Sequence, residues 1–190
     1  RSVMAVTKFK AEQIEDIVLG CANQAGEDAR CVARHAGLSA ELPIEIPGTV
    51  LQRNCASGLG SVIYAAHSLT AGEGDVFLVG GVESMSRVGI GASGSAWPVD
   101  PTIAIPAYFM PQGVSADLIA TKYGFTREDV DAYAVLSQRR AAEAWSQGKF
   151  SKSIVLSMTC LPFIFTAPPM GKISLVITCT YTLFESKGLA

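Results

Sequence analysis

Residues 49–60 read TVLQRNCASGLG, and they join a strand-like segment to the start of a long helix of small residues, Ala56–Ala71. Cys55 stands at this junction. The start of a helix offers unpaired backbone N–H groups and the positive end of the helix dipole, and both favour a thiolate. Such a position can lower a cysteine pKa from about 8.5 into the range of about 3.5 to 7.5. Many free cysteines are simply small buried hydrophobes, so the surroundings of Cys55 decide between packing and catalysis.

The sequence around this junction alternates between strand-like and helix-like segments. Short apolar runs predict strands at 15–19, 48–53 and 75–79, and helices are predicted at 29–38 and 56–71. This alternation indicates an α/β fold, and the continuous apolar run in the third strand is typical of a strand buried on both faces. Apolar side chains at helical spacing predict one buried stripe along the second helix: Leu59, Val62, Ile63, Ala66 and Leu69.

The composition and periodicity of the sequence change at Arg87. Glycine and proline punctuate residues 87–113, where little periodicity is visible, and this pattern predicts a long loop. Helices are predicted at 115–123 and 126–147. Thr126 is the expected N-cap of the second of these, with Asp129 three residues later in a weak form of the capping box.

Five stretches, in one order along the chain, resemble motifs of the thiolase family. They are GCANQAGED (20–28), VAR (32–34), NCASGLG (54–60), GGVESMS (80–86) and FTREDVDAYA (125–134). The third is similar to the nucleophile motif of the thiolases. The first two resemble the branch that contains bacterial acetyl-CoA acetyltransferases and 3-oxoadipyl-CoA thiolases.

The resemblance implies a thiolase-like layered α/β fold, with a mixed sheet and helices on both faces. It covers only the N-terminal half of the family's pattern and part of its loop domain. The implied boundaries are 1–86 for the core (without the family's first strand), 87–149 for the loop-domain portion, 150–158 for a strand returning to the core and 159–190 for an unassigned tail. Only four charged residues lie in 151–190, although the chain has 15 basic and 17 acidic side chains. We therefore expect an aberrant tail on a truncated chain.

The resemblance also implies a chemistry for Cys55. In thiolases this cysteine is acylated by acyl-CoA, so Cys55 is the expected catalytic nucleophile of an acetyl-CoA C-acyltransferase, which interconverts acyl-CoA and acetyl-CoA with 3-oxoacyl-CoA and CoA. Such a cycle also needs a base, a second acid/base and oxyanion donors. The family takes these from Asn-Glu-x-Phe, Gly-His-Pro and Cys-x-Gly segments, and none of these strings occurs here. We expect the chain alone to be inactive. Its substrate-binding residues stay unassigned, and Gln112 stands where the family places a methionine.

Other residues with ligand or catalytic chemistry give weaker patterns. The five cysteines, an odd number without a Cys-x-x-Cys pair, indicate neither a disulfide framework nor a metal site. Cys31 and His35 share a helix face, but two ligands do not complete a zinc site. His67 lies about 18 Å along the helix from Cys55, at 1.5 Å per residue, and is too far away to be its base. Neither Cys160 nor Cys179 resembles the family's second catalytic cysteine.

Several binding functions are not supported by the sequence. The GIGASG run at 89–94 fits a dinucleotide-binding pattern, but Pro98 follows where a helix is required. A net charge of −2 without a basic cluster gives no support for nucleic-acid binding. Uncharged runs at 154–171 and 173–184 are interrupted or too short to span a membrane. No bound cofactor is expected, and coenzyme A thioesters are the expected substrates.

Three functions therefore remain open. The first is a thiolase acyltransferase of fatty acid metabolism or a related pathway. The second is another condensing enzyme, similar to a ketoacyl synthase, and the third is a silent fragment that acts only as an assembly partner. The family resemblance implies a homodimer or homotetramer for the full-length protein, in the cytoplasm or, in a eukaryote, in the mitochondrial or peroxisomal matrix.

Overall fold

The computed structural model describes residues 1–7 and 9–154, together with the backbone of residues 175–176. These residues divide into two compact units, one containing Arg1–Ser93 and the other Gly94–Lys152. The helices are α1 (Ser2–Val6), α2 (Val32–Ser39), α3 (Ser57–Ala71), α4 (Pro101–Ala104), α5 (Gln112–Tyr123) and α6 (Arg127–Ser146). The strands are β1 (Asp16–Gly20), β2 (Gly48–Leu51), β3 (Phe77–Gly81) and β4 (Leu175–Val176).

A parallel sheet forms the centre of the first unit. Its described strands are ordered β2-β1-β3-β4. Gly20 at the end of β1 lies opposite both Leu51 of β2 and Gly81 of β3, so the three strands end at one edge of the sheet. The α/β fold is confirmed. We expected a mixed sheet, whereas every described strand pair is parallel. The crossovers that contain α2 and α3 explain this, because such connections join parallel strands.

Two helices cover opposite faces of this sheet. Successive residues of a strand point to opposite faces. Val18 of β1 accordingly packs with Ala65 and Leu69 of α3, whereas its neighbour Ile17 packs with Ala33 of α2. The prediction of helices on both faces is confirmed.

The face of α3 that packs on the sheet differs from the predicted stripe. Leu69 is buried and Val62 is half-buried, but Ala66 is exposed, as are Leu59 at 65 % and Ile63 at 39 %. The buried residues are mostly small: Ser57, Gly60, Ser61, Ala65, Ser68 and Leu69. The predicted stripe is therefore wrong. Small side chains let a helix lie close to a sheet, and in α3 this close packing outweighs the burial of the larger apolar residues.

The boundaries of the core elements follow the predictions within a few residues. The strands predicted at 15–19 and 75–79 are observed one and two residues further along the chain. The helix predicted at 29–38 begins only at Val32, because Arg30 and Cys31 have positive φ angles of 55° and 65°. A right-handed helix cannot include residues in that conformation.

The second unit consists of turns and helices. The predicted loop 87–113 is largely a run of turns that contains the short α4. The two predicted helices are confirmed as α5 and α6. At the start of α6 the Thr126 hydroxyl accepts the Asp129 N–H at 3.2 Å, and the Asp129 carboxylate accepts the Thr126 N–H at 2.9 Å. This is the predicted capping box.

Some predictions concern residues that the structure does not describe. Residues 150–153 lie in turns and Ile154 has no regular structure. The rest of the predicted return strand lies outside the described residues, as do Cys160, Cys179 and most of the 159–190 tail. Among the described helices, none is both long and apolar enough to cross a bilayer.

Candidate active site

Cys55 lies in a tight turn between β2 and α3. The turn is closed by two backbone hydrogen bonds, from Ala56 N–H to Arg53 O and from Ser57 N–H to Asn54 O, both at 3.0 Å. Asn54 has a φ of 48°, and asparagine tolerates this left-handed conformation better than most residues. The helix begins at Ser57, so Cys55 precedes its first turn by two residues. The Cys55 side chain is exposed and its thiol is free.

The Ser57 side chain stabilises the same turn through two hydrogen bonds. Its hydroxyl accepts a hydrogen bond from Arg53 N–H at 2.9 Å and donates one to Asn54 O at 2.6 Å. Ser57 is only 4 % exposed. The residues on the N-terminal side of Cys55 are thus bonded to the first residue of α3.

Glycines allow the start of α3 to approach the sheet edge. A Cβ atom on Gly20 would lie 2.5 Å from Gly58 N and still closer to the Ser57 carbonyl. Further along the helix, the buried Ser61 hydroxyl lies 2.8 Å from Gly80 O in β3 and 2.7 Å from Gly58 O. These contacts hold the Cys55 turn at the carboxyl edge of the sheet, where ligands of parallel α/β sheets commonly bind.

A second set of hydrogen bonds joins the loops that follow the three strands. The Ala22 N–H donates to a Glu83 carboxylate oxygen, and the Gln52 side-chain amide donates to Ala22 O at 2.9 Å. Backbone bonds run alongside, from Cys21 N–H to Leu51 O at 3.1 Å and from Val82 N–H to Gly20 O at 2.9 Å. Sequence reasoning missed Gln52 and Glu83 as structural partners, because their bonds depend on the close approach of three loops.

Cys21, Asp28 and Glu83 form a thiol–carboxylate cluster within these loops. One possible ligand atom from each lies within 4.8 Å of the others. Burial raises the pKa of the Cys21 thiol to about 11, with a further contribution from the charge of Glu83. Asp28 accepts the Ser84 N–H at 2.8 Å. At neutral pH the Cys21 thiol is therefore protonated. Each of the two carboxylates accepts a hydrogen bond from a backbone N–H group.

The remaining sequence candidates lie apart from this arrangement. Cys31 donates its thiol hydrogen to Gly48 O at 3.1 Å, and His35 is exposed on α2. His67 is exposed on α3, twelve residues from Cys55 along the chain. Gln112 is the first residue of α5. The glycine-rich run 89–94 is followed by a bend and turns at 96–99, and not by the helix that a dinucleotide-binding fingerprint opens.

Comparison with known families gives one clear match. The family model described as "Thiolase, N-terminal domain" matches residues 1–159.

Curated relatives carry related names. The chain is 40 % identical over 159 residues to a beta-ketoadipyl-CoA thiolase of Acinetobacter baylyi, covering 75 % of this chain and 40 % of the relative. It is 41 % identical over 166 residues to a 3-oxoadipyl-CoA/3-oxo-5,6-dehydrosuberyl-CoA thiolase of Escherichia coli, covering 78 % and 41 %. A 3-ketoacyl-CoA thiolase of Bacillus subtilis is 40 % identical over 146 residues, covering 75 % and 36 %. The chain thus spans about two fifths of the length of these relatives.

A solved structure shares the fold. The chain matches the Acat5 thiolase from Ascaris suum in complex with coenzyme A, with a TM-score of 0.66 and 26 % sequence identity. The match covers 81 % of this chain and 43 % of that one.

Proposed function

This chain belongs to the thiolase family, and from that premise we propose that Cys55 is the acyl-accepting nucleophile of a 3-oxoacyl-CoA thiolase. One observation carries the proposal. Cys55 is an exposed, free thiol in a hydrogen-bonded turn at the carboxyl edge of the sheet, two residues before helix α3, one face of which packs on the sheet. The names of the relatives support coenzyme A thioesters as the substrate class.

The reaction consists of two acyl transfers. In the direction of cleavage, the Cys55 sulfur attacks the 3-oxo carbon of 3-oxoacyl-CoA. The bond between C2 and C3 breaks, and C2 takes up a proton as acetyl-CoA leaves. The thiol of CoA then attacks the acyl-Cys55 thioester, which releases acyl-CoA and restores the Cys55 thiol. In both steps negative charge develops on the oxygen of the carbonyl group under attack, and N–H donors stabilise this charge. The family resemblance offers the backbone N–H of Cys55 for this role.

We further propose that these 190 residues alone do not sustain turnover. The sequence contains none of the family strings that supply the base, the second cysteine and the remaining oxyanion donor. We expect Cys55 still to react stoichiometrically, although slowly, because the transfer of an acyl group to a thiol begins with attack by its thiolate.

The test combines both halves of the proposal. Purified chain is incubated with acetyl-CoA, and acetylated peptides are quantified by mass spectrometry; it is also assayed for CoA-dependent cleavage of acetoacetyl-CoA. We expect acetyl transfer to Cys55, its loss in Cys55→Ala, its retention in Cys31→Ala, and no steady-state cleavage. Acetylation spread equally over Cys55 and Cys31 would overturn the role of Cys55. Robust cleavage would overturn the proposed inactivity.

Membership of the thiolase family favours a thiolase reaction over the ketoacyl synthase alternative. The silent fragment that acts as an assembly partner stays as a second candidate, and absence of any acetylation at Cys55 would favour it. The assignment of residues 1–86 to a core and 87–149 to a loop-domain portion, the homodimer or homotetramer and the cytoplasmic location stay predictions.

A further inference from the structure

The Ser57 hydroxyl bonds to residues that precede α3, and not to the helix as the hydroxyl of a capping serine does. A capping serine bonds forward, from the N-cap position to N–H groups of the first helical turn. In α3 the N-cap is Ala56, and no side-chain cap bond is made. Ser57, the first helical residue, bonds backward to Arg53 N–H and Asn54 O. Its hydroxyl therefore satisfies the turn that carries Cys55 rather than the helix.

The backward bonds act on a conformation that needs support. Asn54 is in the left-handed region with a φ of 48°, which costs an asparagine more than a glycine although less than most other residues. Its carbonyl accepts both the N–H and the hydroxyl hydrogen of Ser57, at 3.0 and 2.6 Å. These two bonds fix the peptide between Asn54 and Cys55, and with it the direction in which the Cys55 side chain leaves the backbone.

We propose that Ser57 is a positioning residue for the Cys55 nucleophile, acting through the Arg53–Asn54 backbone. This inference rests on the proposed function of Cys55. It adds a residue that acts on the backbone before Cys55, through its bonds to Arg53 and Asn54, and so sets where the thiol lies relative to a substrate. Without the hydroxyl, the turn samples other conformations, and the thiol spends less time in the reactive position.

The experiment compares Ser57→Ala with two controls. Ser57→Thr keeps the hydroxyl. Ser68→Ala removes another buried hydroxyl further along the same helix, since Ser68 is only 5 % exposed. Acetylation of Cys55 by acetyl-CoA is followed at several concentrations. Because a misplaced reacting group loses rate more than binding, we expect Ser57→Ala to lower the saturating rate by about tenfold, with the half-saturating concentration unchanged. Ser57→Thr recovers most of this rate, and Ser68→Ala matches the wild type.

A second readout does not depend on coenzyme A chemistry. The rate of Cys55 alkylation by iodoacetamide is measured relative to that of Cys31 in the same molecule. We expect Ser57→Ala to lower this ratio severalfold. An unchanged ratio would overturn the positioning role, even if acetylation fails in every variant. A lowered ratio in a chain that acetyl-CoA does not acetylate would refute the proposed function and leave the positioning role standing.

Amide exchange in the wild-type chain covers the case in which Ser57→Ala does not fold. The Arg53 N–H should be protected, since its acceptor is the buried Ser57 hydroxyl. Exchange of this amide at the rate of an unstructured peptide would contradict the inference.

Discussion

Gly20 occupies a position where the backbone of another element leaves no room for a side chain. A Cβ atom there would lie 2.5 Å from Gly58 N, against backbone that cannot rotate away. We expect Gly20→Ala to push the start of α3 off the sheet and to lower the free energy of unfolding by about 1–3 kcal/mol, the usual range for overpacking. It should also slow the acetylation of Cys55, since Ser57 and the turn move with the helix.

Chemical denaturation of both proteins measures the loss in stability. Gly89→Ala is the matched control, because it lies in the same unit, has open space around its Cα and does not have a positive φ. Equal stability of Gly20→Ala and Gly89→Ala would show that the start of α3 does not lie against β1 as described.

Cys21 predicts a pH dependence of stability. Its folded pKa of about 11 lies above the reference value of 9.0, because burial and the nearby Glu83 carboxylate disfavour the thiolate. A group with a raised folded pKa contributes its full stabilisation below the unfolded pKa and loses it as the pH rises through the folded pKa. We therefore expect the Cys21 contribution to disappear between about pH 9 and pH 11.

Unfolding free energies of the wild type, Cys21→Ser and Cys21→Ala, measured from pH 8 to pH 11, isolate this contribution from other titrating groups. The wild type should lose more stability over this range than either variant. Parallel curves for all three proteins would mean that the Cys21 thiol does not titrate at a raised pKa in the folded protein.

At the residue level, the sequence located the turn that carries Cys55 between a strand and a helix of small residues, where the structure has it. The catalytic role of Cys55, which the resemblance of residues 54–60 to a family motif implies, stays a prediction. The sequence did not predict the hydrogen bonds of Ser57, nor those that Gln52 and Glu83 make to the Ala22 backbone. They depend on the left-handed turn at Asn54 and on loops that are 30 to 61 residues apart in sequence, and neither leaves a local signal.

At the scale of the element, α3 shows what periodicity does and does not determine. The spacing of apolar residues correctly predicts a helix, but it placed Leu59, Ile63 and Ala66 on the buried side. The sheet instead packs against small residues, because hydrogen bonding by Ser61 and close approach at Gly60 require a short distance between helix and strands. A helix with apolar residues on one face and small residues on the other gives no sequence signal for which face meets the sheet.

The capping box of α6 predicts a local stability effect. Thr126→Ala removes the acceptor of the Asp129 N–H, and the loss of a side-chain cap costs about 1 kcal/mol. We expect a lower helical circular dichroism signal and an earlier melt of this element, whereas Thr126→Ser, which keeps the hydroxyl, should match the wild type.

The same element also predicts an acid effect. Hydrogen bonds from Thr126 lower the pKa of Asp129 below its usual 3.8. A depressed folded pKa stabilises the folded state above the unfolded pKa, and this stabilisation is lost as the pH falls through the folded value. Asp129→Asn should therefore weaken the helix at pH 7 and bring it closer to the wild type in strong acid. A deficit of equal size at both pH values would contradict this role for the carboxylate.

For the molecule as a whole, the lack of charge on α3 affects how the chain associates in solution. The helix contains no charged residue, and its outward side exposes apolar side chains. An exposed apolar helix face is a site of association in aqueous solution, so we expect the isolated chain to self-associate or to be poorly soluble.

Leu59 and Ile63 test this expectation, since they lie one helical turn apart on the exposed side of α3. The double variant Leu59→Glu/Ile63→Lys places an ion pair at i, i+4 spacing on that side and removes the apolar surface without touching the buried residues. In sedimentation velocity we expect the wild type to sediment as associated species and the double variant to shift toward the monomer. Val6→Glu, a charge introduced at an apolar position of α1 that is 72 % exposed, should leave the association unchanged. A wild-type chain that sediments as a monomer and melts cooperatively would contradict the expectation. A shift of equal size in Val6→Glu would mean that added charge, and not the outward face of α3, controls association.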